Sequence, residues 1–97
     1  MFAVVNHLHL TIPVEQLRHG VEDEAIPLLS GVEGFRGFYF VQEAPDRAIV
    51  ILMWESGESA MKGAQMFGPT WFAKHIAPNL ASEQQRSSGP VLAHKLA

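Results

Sequence analysis

The first predicted strand, over Ala3 to Thr11, has an apolar face with an asparagine, Asn6, at its centre. At the period of two that a strand imposes, the other members of this face are large hydrophobes: Phe2, Val4, Leu8 and Leu10. A buried carboxamide without a hydrogen-bond partner costs about 1–3 kcal/mol. The pattern therefore indicates either a local partner for Asn6 or a pocket built around it.

A stretch with hydrophobic residues at helical spacing follows the first strand. Val14, Leu17 and Val21 recur at intervals that place them on one face of a helix. Gly20 and Pro27 lie within the same stretch, and both weaken a helix. We therefore expect this helix to kink or to end early.

A hairpin is predicted in the middle of the chain, with strands over residues 35–42 and 47–54 and a turn at residues 44–46. The second of these strands is apolar on both faces. An antiparallel sheet with one face in water normally alternates. Because helices can cover only one face, we expect a second copy of the sheet to cover the other, which predicts a homodimer.

The last part of the chain is predicted to hold a helix over residues 58–67, with Ser56 as its N-cap. Gly68-Pro69 is expected to break it, and Thr70 to cap a second short helix. A final strand is predicted over residues 91–96. The order β-α-β-β-α-β predicts an α+β fold of ferredoxin-like topology with an antiparallel sheet.

Composition narrows the function classes for what we expect to be one domain, residues 1–97. A net charge of −3 with seven Lys and Arg residues argues against a nucleic-acid-binding protein. The sequence has no cysteine, which excludes disulfides and thiolate sites. No apolar run has the length of a membrane span, and the N-terminus lacks a signal-peptide pattern. We expect a cytoplasmic protein.

Two short motifs carry a family resemblance: Gly34-Phe35-Arg36-Gly37-Phe38 and Trp54-Glu55-Ser56. With them the chain resembles the antibiotic-biosynthesis-monooxygenase (ABM) superfamily of dimeric α+β barrels. The resemblance spans nearly the whole chain. It implies an enzyme that oxidises a flat, hydrophobic aromatic substrate with O2, and two sheets that form a barrel in the dimer.

Within that superfamily the chain is similar to the haem-degrading monooxygenases of the IsdG type. Asn6 falls on their first-strand Asn, and His75 on the His that ligates haem iron. Their Trp on the second helix is replaced by Gln65 or Met66, and the nearest Trp, Trp71, is one turn before His75. The resemblance thus implies either no cofactor or haem, with His75 as the iron ligand only if haem binds.

Both chemistries use the same residues. In a cofactor-free oxidation, His75 would be the base, and Asn6 and Trp71 would donate hydrogen bonds to developing negative charge. We expect the substrate to contact further residues that lie near Asn6 or Trp71 in the sequence: Leu8, Gln65, Met66, Phe67 and Phe72.

Several alternatives stay open at this point. His75 could be a surface histidine packed on Trp71, and the chain a non-catalytic small-molecule or haem binding or regulatory module. His7 and His9, at i and i+2, could chelate a metal. The acidic run Glu22-Asp23-Glu24 is interpreted as a solvated helix face.

Overall fold

The computed structural model describes residues 1–97 and contains a four-stranded antiparallel sheet with two helices on one face. The strands lie in the order β2-β3-β1-β4. Their bounds are β1 Phe2–His9, β2 Phe35–Ala44, β3 Arg47–Trp54 and β4 Gln85–Pro90. The chain order is β-α-β-β-α-β, so the predicted ferredoxin-like α+β fold is confirmed.

The register of the sheet places the Asn6 face of β1 toward the helices. Asn6 pairs with Val50 of β3 on one side and with Arg86 of β4 on the other. Directly opposed residues of an antiparallel pair point to the same face. Neighbouring positions of this face are buried: Val4, Leu8, Ala48, Leu52 and Trp54.

The first helical stretch, α1 (residues 14–30), changes its hydrogen-bonding pattern along its length. It consists of a 3₁₀ turn Val14–Leu17, an α-helical turn Arg18–Gly20, a π-helical segment Val21–Ala25 and an α-helical segment Ile26–Ser30. The predicted core positions Val14, Leu17 and Val21 are buried. Of the two expected outcomes, a kink or an early end, the early end is wrong, because the chain stays helical to Ser30. Pro27 follows directly after the π-helical segment, whose wider turn tolerates a residue that cannot donate a backbone hydrogen bond.

The second helical stretch, α2 (residues 57–79), begins at the predicted cap. The Ser56 Oγ accepts a hydrogen bond from the Ser59 N–H at 3.1 Å. The α-helical part Gly57–Phe67 then continues directly into a π-helical segment, Gly68–Ile76, and a 3₁₀ turn, Ala77–Asn79.

The break predicted at Gly68-Pro69 is therefore wrong, and so is the role of Thr70 as an N-cap. The Thr70 hydroxyl instead donates to the carbonyl of Met66 at 2.6 Å and contacts that of Phe67 at 3.3 Å. A wider π-helical path and a side-chain donor offset the hydrogen bond that Pro69 cannot donate.

The last strand also differs from the prediction. It is the polar segment Gln85–Pro90, whereas the apolar residues 91–97 have no regular structure. Pairing with β1 over six residues determines the strand here, and β-propensity does not. Edge strands are often polar, and β4 is such an edge.

The face of the sheet away from the helices remains apolar in the single chain. Val5, Ile51 and Tyr39 lie side by side on three strands, and the Tyr39 residue is 56% exposed. Val41 is also exposed, at 40%. No helix of the chain has both the length and the apolar character that a membrane span requires.

Candidate functional site

A cavity of about 110 Å³, here called the main cavity, opens between the sheet and α2. One water molecule needs roughly 10–15 Å³ of such space, so the cavity has room for several waters or a ligand. Its lining is mostly apolar and includes Val4, Leu29, Leu52, Trp54, Ala60, Phe67 and Phe72. Three polar side chains also line it: Asn6, Gln84 and Arg86.

A second space of about 60 Å³, the deep cavity, lies further along the same sheet face. Its lining is hydrophobic apart from Asn6: Leu8, Val21, Phe38, Phe40, Val50, Leu52, Phe67, Trp71, Phe72 and Ile76. Asn6, Phe67 and Phe72 line both cavities. The Asn6 carboxamide therefore lies where the two cavities meet.

The Asn6 and Gln84 side chains each bury an oxygen atom that has no hydrogen-bond partner. In the whole chain these are the two buried side-chain polar atoms in that state. Burying such a group costs about 1–3 kcal/mol relative to a satisfied one. Folding alone does not favour this arrangement, whereas a hydrogen-bonding ligand in the main cavity would satisfy both atoms.

Arg86 brings a positive charge to the mouth of the main cavity. It is exposed, and no carboxylate lies within salt-bridge distance of its guanidinium. Its position opposite Asn6 in the β1–β4 register explains why the two side chains reach the same cavity. The site can thus donate hydrogen bonds to an oxygen atom that carries negative charge.

Trp71 forms part of the wall of the deep cavity. Its side chain is buried, and its indole stacks on Phe67 with ring centroids 5.7 Å apart. The Trp71 Nε1–H donates a hydrogen bond to Glu24 Oε1 at 2.9 Å, which ties α2 to α1. Its donor is therefore already engaged by the protein and points to Glu24.

His75 does not line either cavity. Its ring packs against the Trp71 indole, with centroids 4.8 Å apart, and its side chain is 36% exposed. The Nε2 atom lies 3.7 Å from Glu24 Oε1. The structure thus brings Trp71 and His75 together, as their spacing predicts, but it separates His75 from the cavity that Asn6 lines.

A haem site requires a free imidazole nitrogen that faces an apolar space large enough for the macrocycle. In this chain the His75 Nε2 faces the Glu24 carboxylate, and the Trp71 ring lies against the imidazole. The residues present therefore do not fit haem ligation by His75.

The residues predicted to contact the substrate fall into two groups. Leu8, Phe67 and Phe72 line the cavities. Gln65 and Met66 line neither cavity. Successive side chains of a helix point about 100° apart, so these two residues do not point in the same direction as Phe67. Met66 packs against the core around Val4 and Trp54 instead, and Gln65 is exposed.

The two histidines of β1 do not form a metal site. His9 Nε2 lies 3.2 Å from Asp46 Oδ2, and His7 is exposed on the outer sheet face. No group of three or more His, Asp or Glu side chains is arranged to hold a metal ion. The contact between His9 and Asp46 joins the end of β1 to the turn of the hairpin.

Sequence reasoning missed three residues of this region: Glu24, Gln84 and Arg86. Glu24 was assigned to a solvated face, and its side chain is indeed 58% exposed although it accepts from Trp71. Arg86 and Gln84 were missed because the last strand was predicted after them. The strand pairing places Arg86 opposite Asn6, and no local pattern in the sequence signals it.

Comparison with known proteins finds no matching family model and no matching curated protein. Solved structures do match, and ABM proteins are among them. The chain shares the fold of these proteins. A protein of unknown function from Nitrosomonas europaea, NE2512, superposes with a TM-score of 0.80 at 17% identity, covering 99% of this chain and 93% of that one.

Two further structures with the ABM fold have described ligands or activities of their own. SnoaB from Streptomyces nogalater, a cofactor-independent oxygenase, matches with a TM-score of 0.77 at 10% identity, over 96% of this chain and 94% of SnoaB. A mutant of MhuD with two manganese protoporphyrin IX molecules per active site matches with a TM-score of 0.74 at 18% identity, over the full length of both chains. At these identities the likeness establishes the fold.

Proposed function

We propose that this protein is a monooxygenase of the ABM type that oxidises a flat, hydrophobic aromatic molecule with O2 and without a bound cofactor. The observation that carries the proposal is the unpartnered, buried Asn6 oxygen at the junction of two apolar cavities. The fold shared with the cofactor-independent oxygenase SnoaB supports it.

The proposed reaction needs a substrate that can itself supply electrons, such as a phenolic anthrone. In such a molecule O2 converts the ring CH2 group to C=O: one oxygen atom enters the carbonyl, and the other leaves as water with the two hydrogens. The phenol first loses its proton to solvent at the cavity mouth. Hydrogen bonds donated by the Arg86 guanidinium and the Asn6 amide NH2 then stabilise the oxyanion, whereas the Asn6 oxygen accepts from a neutral hydroxyl of the substrate.

His75 has no direct part in this chemistry. As base it would need to reach the substrate hydroxyl within hydrogen-bond distance, and it does not line the cavities. We assign Trp71 to the apolar wall that holds the aromatic rings, because its Nε1–H is engaged by Glu24.

Oxygen uptake with dithranol, a phenolic anthrone, tests the proposed reaction. The wild-type protein should consume O2 faster than dithranol does spontaneously, and Asn6→Leu should remove that excess. Because Leu needs no partner, Asn6→Leu should keep or raise the free energy of unfolding. Gln42→Leu, which changes an exposed carboxamide on β2 outside both cavities, is the matched control and should retain the activity.

The alternative is a non-catalytic module that binds an aromatic ligand in the same cavity. It predicts saturable binding of dithranol without any excess oxygen uptake. An uptake rate equal in the wild-type and Asn6→Leu proteins would likewise overturn the proposed reaction.

We further propose that the protein is a homodimer formed through the outer face of the sheet. Val5, Ile51 and Tyr39 give that face a continuous apolar band across β1, β3 and β2. Removing such a band from water stabilises an interface by about 25 cal/mol per Å². No part of the chain itself covers it, and a two-fold partner is the commonest way to do so.

A further inference from the structure

We propose that Asn6 and Gln84 together select a substrate with two hydrogen-bonding oxygen atoms along one edge of its ring system. This inference rests on the proposed function, because it concerns the same cavity, and it names the substrate class more closely. Gln84 is a specificity residue in this view, and it has no predicted role in the oxidation itself.

The two unpartnered side-chain groups lie in the same cavity. The two buried side-chain atoms without a partner are both carboxamide oxygens, and both belong to residues that line the main cavity. Eight of the 13 lining residues are hydrophobic, so the surrounding protein offers these oxygens little else to bond. Two such groups in one apolar space point to one ligand that satisfies both.

The two carboxamides are also close to each other in the fold. Gln84 lies two residues before Arg86, and Arg86 pairs with Asn6 in the β1–β4 register. Two residues of extended chain span about 7 Å, and neighbouring strands lie about 4.8 Å apart. The two carboxamides are thus anchored at the same side of the cavity, at a separation that the edge of a fused aromatic ring system can bridge.

The chemistry of the carboxamide group indicates which substrate oxygens it can bind. A carboxamide carries an acceptor oxygen and a donor NH2, and a hydroxyl can both donate and accept. The carboxamides of Asn6 and Gln84 are uncharged, whereas the guanidinium of Arg86 is charged and lies nearer the solvent. Neutral hydroxyl groups therefore match the buried carboxamides, and an oxygen with negative charge matches the mouth.

Binding measured without oxygen tests the inference separately from the reaction. Three probes share one ring system: naphthalene, 2-naphthol and 2,7-dihydroxynaphthalene, whose two hydroxyl groups lie on one edge of the rings about 7 Å apart, as two residues of extended chain do. Both tryptophans of the chain, Trp54 and Trp71, line the cavities, so quenching of their fluorescence reports occupancy. The diol should bind the wild-type protein about tenfold more tightly than 2-naphthol, since one more satisfied hydrogen bond corresponds to about that factor.

Gln84→Leu should remove this preference and leave the affinity for 2-naphthol nearly unchanged, because Asn6 still serves one hydroxyl. The same variant should be at least as resistant to urea as the wild type, since it no longer buries an unpartnered oxygen. Lower binding of the diol together with undiminished stability is a signature that a purely structural role would not give.

Gln42→Leu is again the control, and it should keep the tenfold preference. The inference is overturned if the diol and 2-naphthol bind the wild type equally, if neither binds, or if Gln84→Leu keeps the preference. Because oxygen is absent, a preference for the diol would stand even if dithranol shows no oxygen uptake. In that case the proposed reaction fails and the selectivity of the site remains.

Discussion

Trp71 is held by groups from both helices, and this arrangement determines the shape of the deep cavity. Phe67 and His75 both pack against the indole, and Glu24 of α1 accepts a hydrogen bond from its N–H. Gly20 makes the close approach of α1 feasible, because a Cβ there would lie 3.3 Å from the indole. This hydrogen bond therefore links the Trp71 wall of the deep cavity to α1, which also lines that cavity through Val21.

Glu24→Ala should loosen this wall. We expect a loss of about 1 kcal/mol in the free energy of unfolding, at the lower end for a hydrogen bond to a charged group because the Glu24 side chain is 58% exposed. The emission of Trp71 should shift to longer wavelength as the ring gains contact with water. Urea unfolding and fluorescence spectra measure the two effects.

Glu22→Ala provides the comparison for Glu24→Ala. Glu22 pairs with the exposed Arg18 at 3.1 Å, and the guanidinium pKa of Arg18 is raised by its hydrogen bonds to Glu15 and Glu22. Exposed pairs of this kind contribute little, so Glu22→Ala should cost less than about 0.5 kcal/mol. Equal losses for the two variants would contradict a special role for Glu24.

For a single residue, the sequence reveals which face of its strand or helix the side chain occupies, but it reveals little about the side chains that it contacts. Alternation in the first strand correctly placed Asn6 toward the helices, because the side-chain period of a strand is fixed by its geometry. The helical spacing of Trp71 and His75 likewise predicted their contact. The Glu24 contact spans 47 residues and depends on how the two helices pack, which no local pattern contains.

The second helical stretch, α2, approaches β3 closely at Gly63. Gly63 lies against the ring of Trp54, which is 2% exposed, and a Cβ at this position would clash with the indole. The absence of a side chain here lets α2 approach the sheet. The main cavity, which Trp54 and Gly63 both line, depends on that approach.

Gly63→Ala should therefore destabilise the protein by about 1–3 kcal/mol, since a buried indole must shift to admit the methyl group. Gly68→Ala is the matched control in the same helix, because a Cβ there meets nothing within 4 Å. It should be neutral or stabilise by up to about 1 kcal/mol. Thermal unfolding of the two variants compares them, and similar melting temperatures would contradict this account.

The helices and strands were predicted well where local signals agree with tertiary packing. Ser56 caps α2, and β3 has the predicted bounds Arg47–Trp54. The prediction failed at Gly68-Pro69 and for residues 91–96. In both places long-range contacts override propensity: α2 stays helical while it packs on the sheet, and polar β4 forms because β1 offers an open edge.

For the whole molecule, the apolar outer face of the sheet is the feature that the single chain leaves unexplained. Its predicted role as a dimer interface remains a prediction. The ferredoxin-like fold places both helices on one side of the sheet. The outer face of an apolar strand such as β3 can therefore be buried only by another protein chain.

Ile51→Lys tests this interface, because it places a charge at the centre of the outer face. We expect the wild type to sediment as a dimer and this variant as a monomer, since an unpaired buried charge is costly at an interface. Met61→Lys makes the same change at an exposed position of α2 and should remain dimeric. A monomeric wild type would contradict the proposal.

The two π-helical segments, Val21–Ala25 and Gly68–Ile76, meet at the contact between Glu24 and Trp71. A π-helical turn accommodates more residues than an α-helical turn, so the number of residues determines which side chains face the cavity, in addition to their identity. Deleting one residue near Gly68 would turn every later side chain of α2 by about 100°. Among relatives of this chain, a gap of one position in either helix would therefore mark a remodelled cavity, even where every aligned residue is the same.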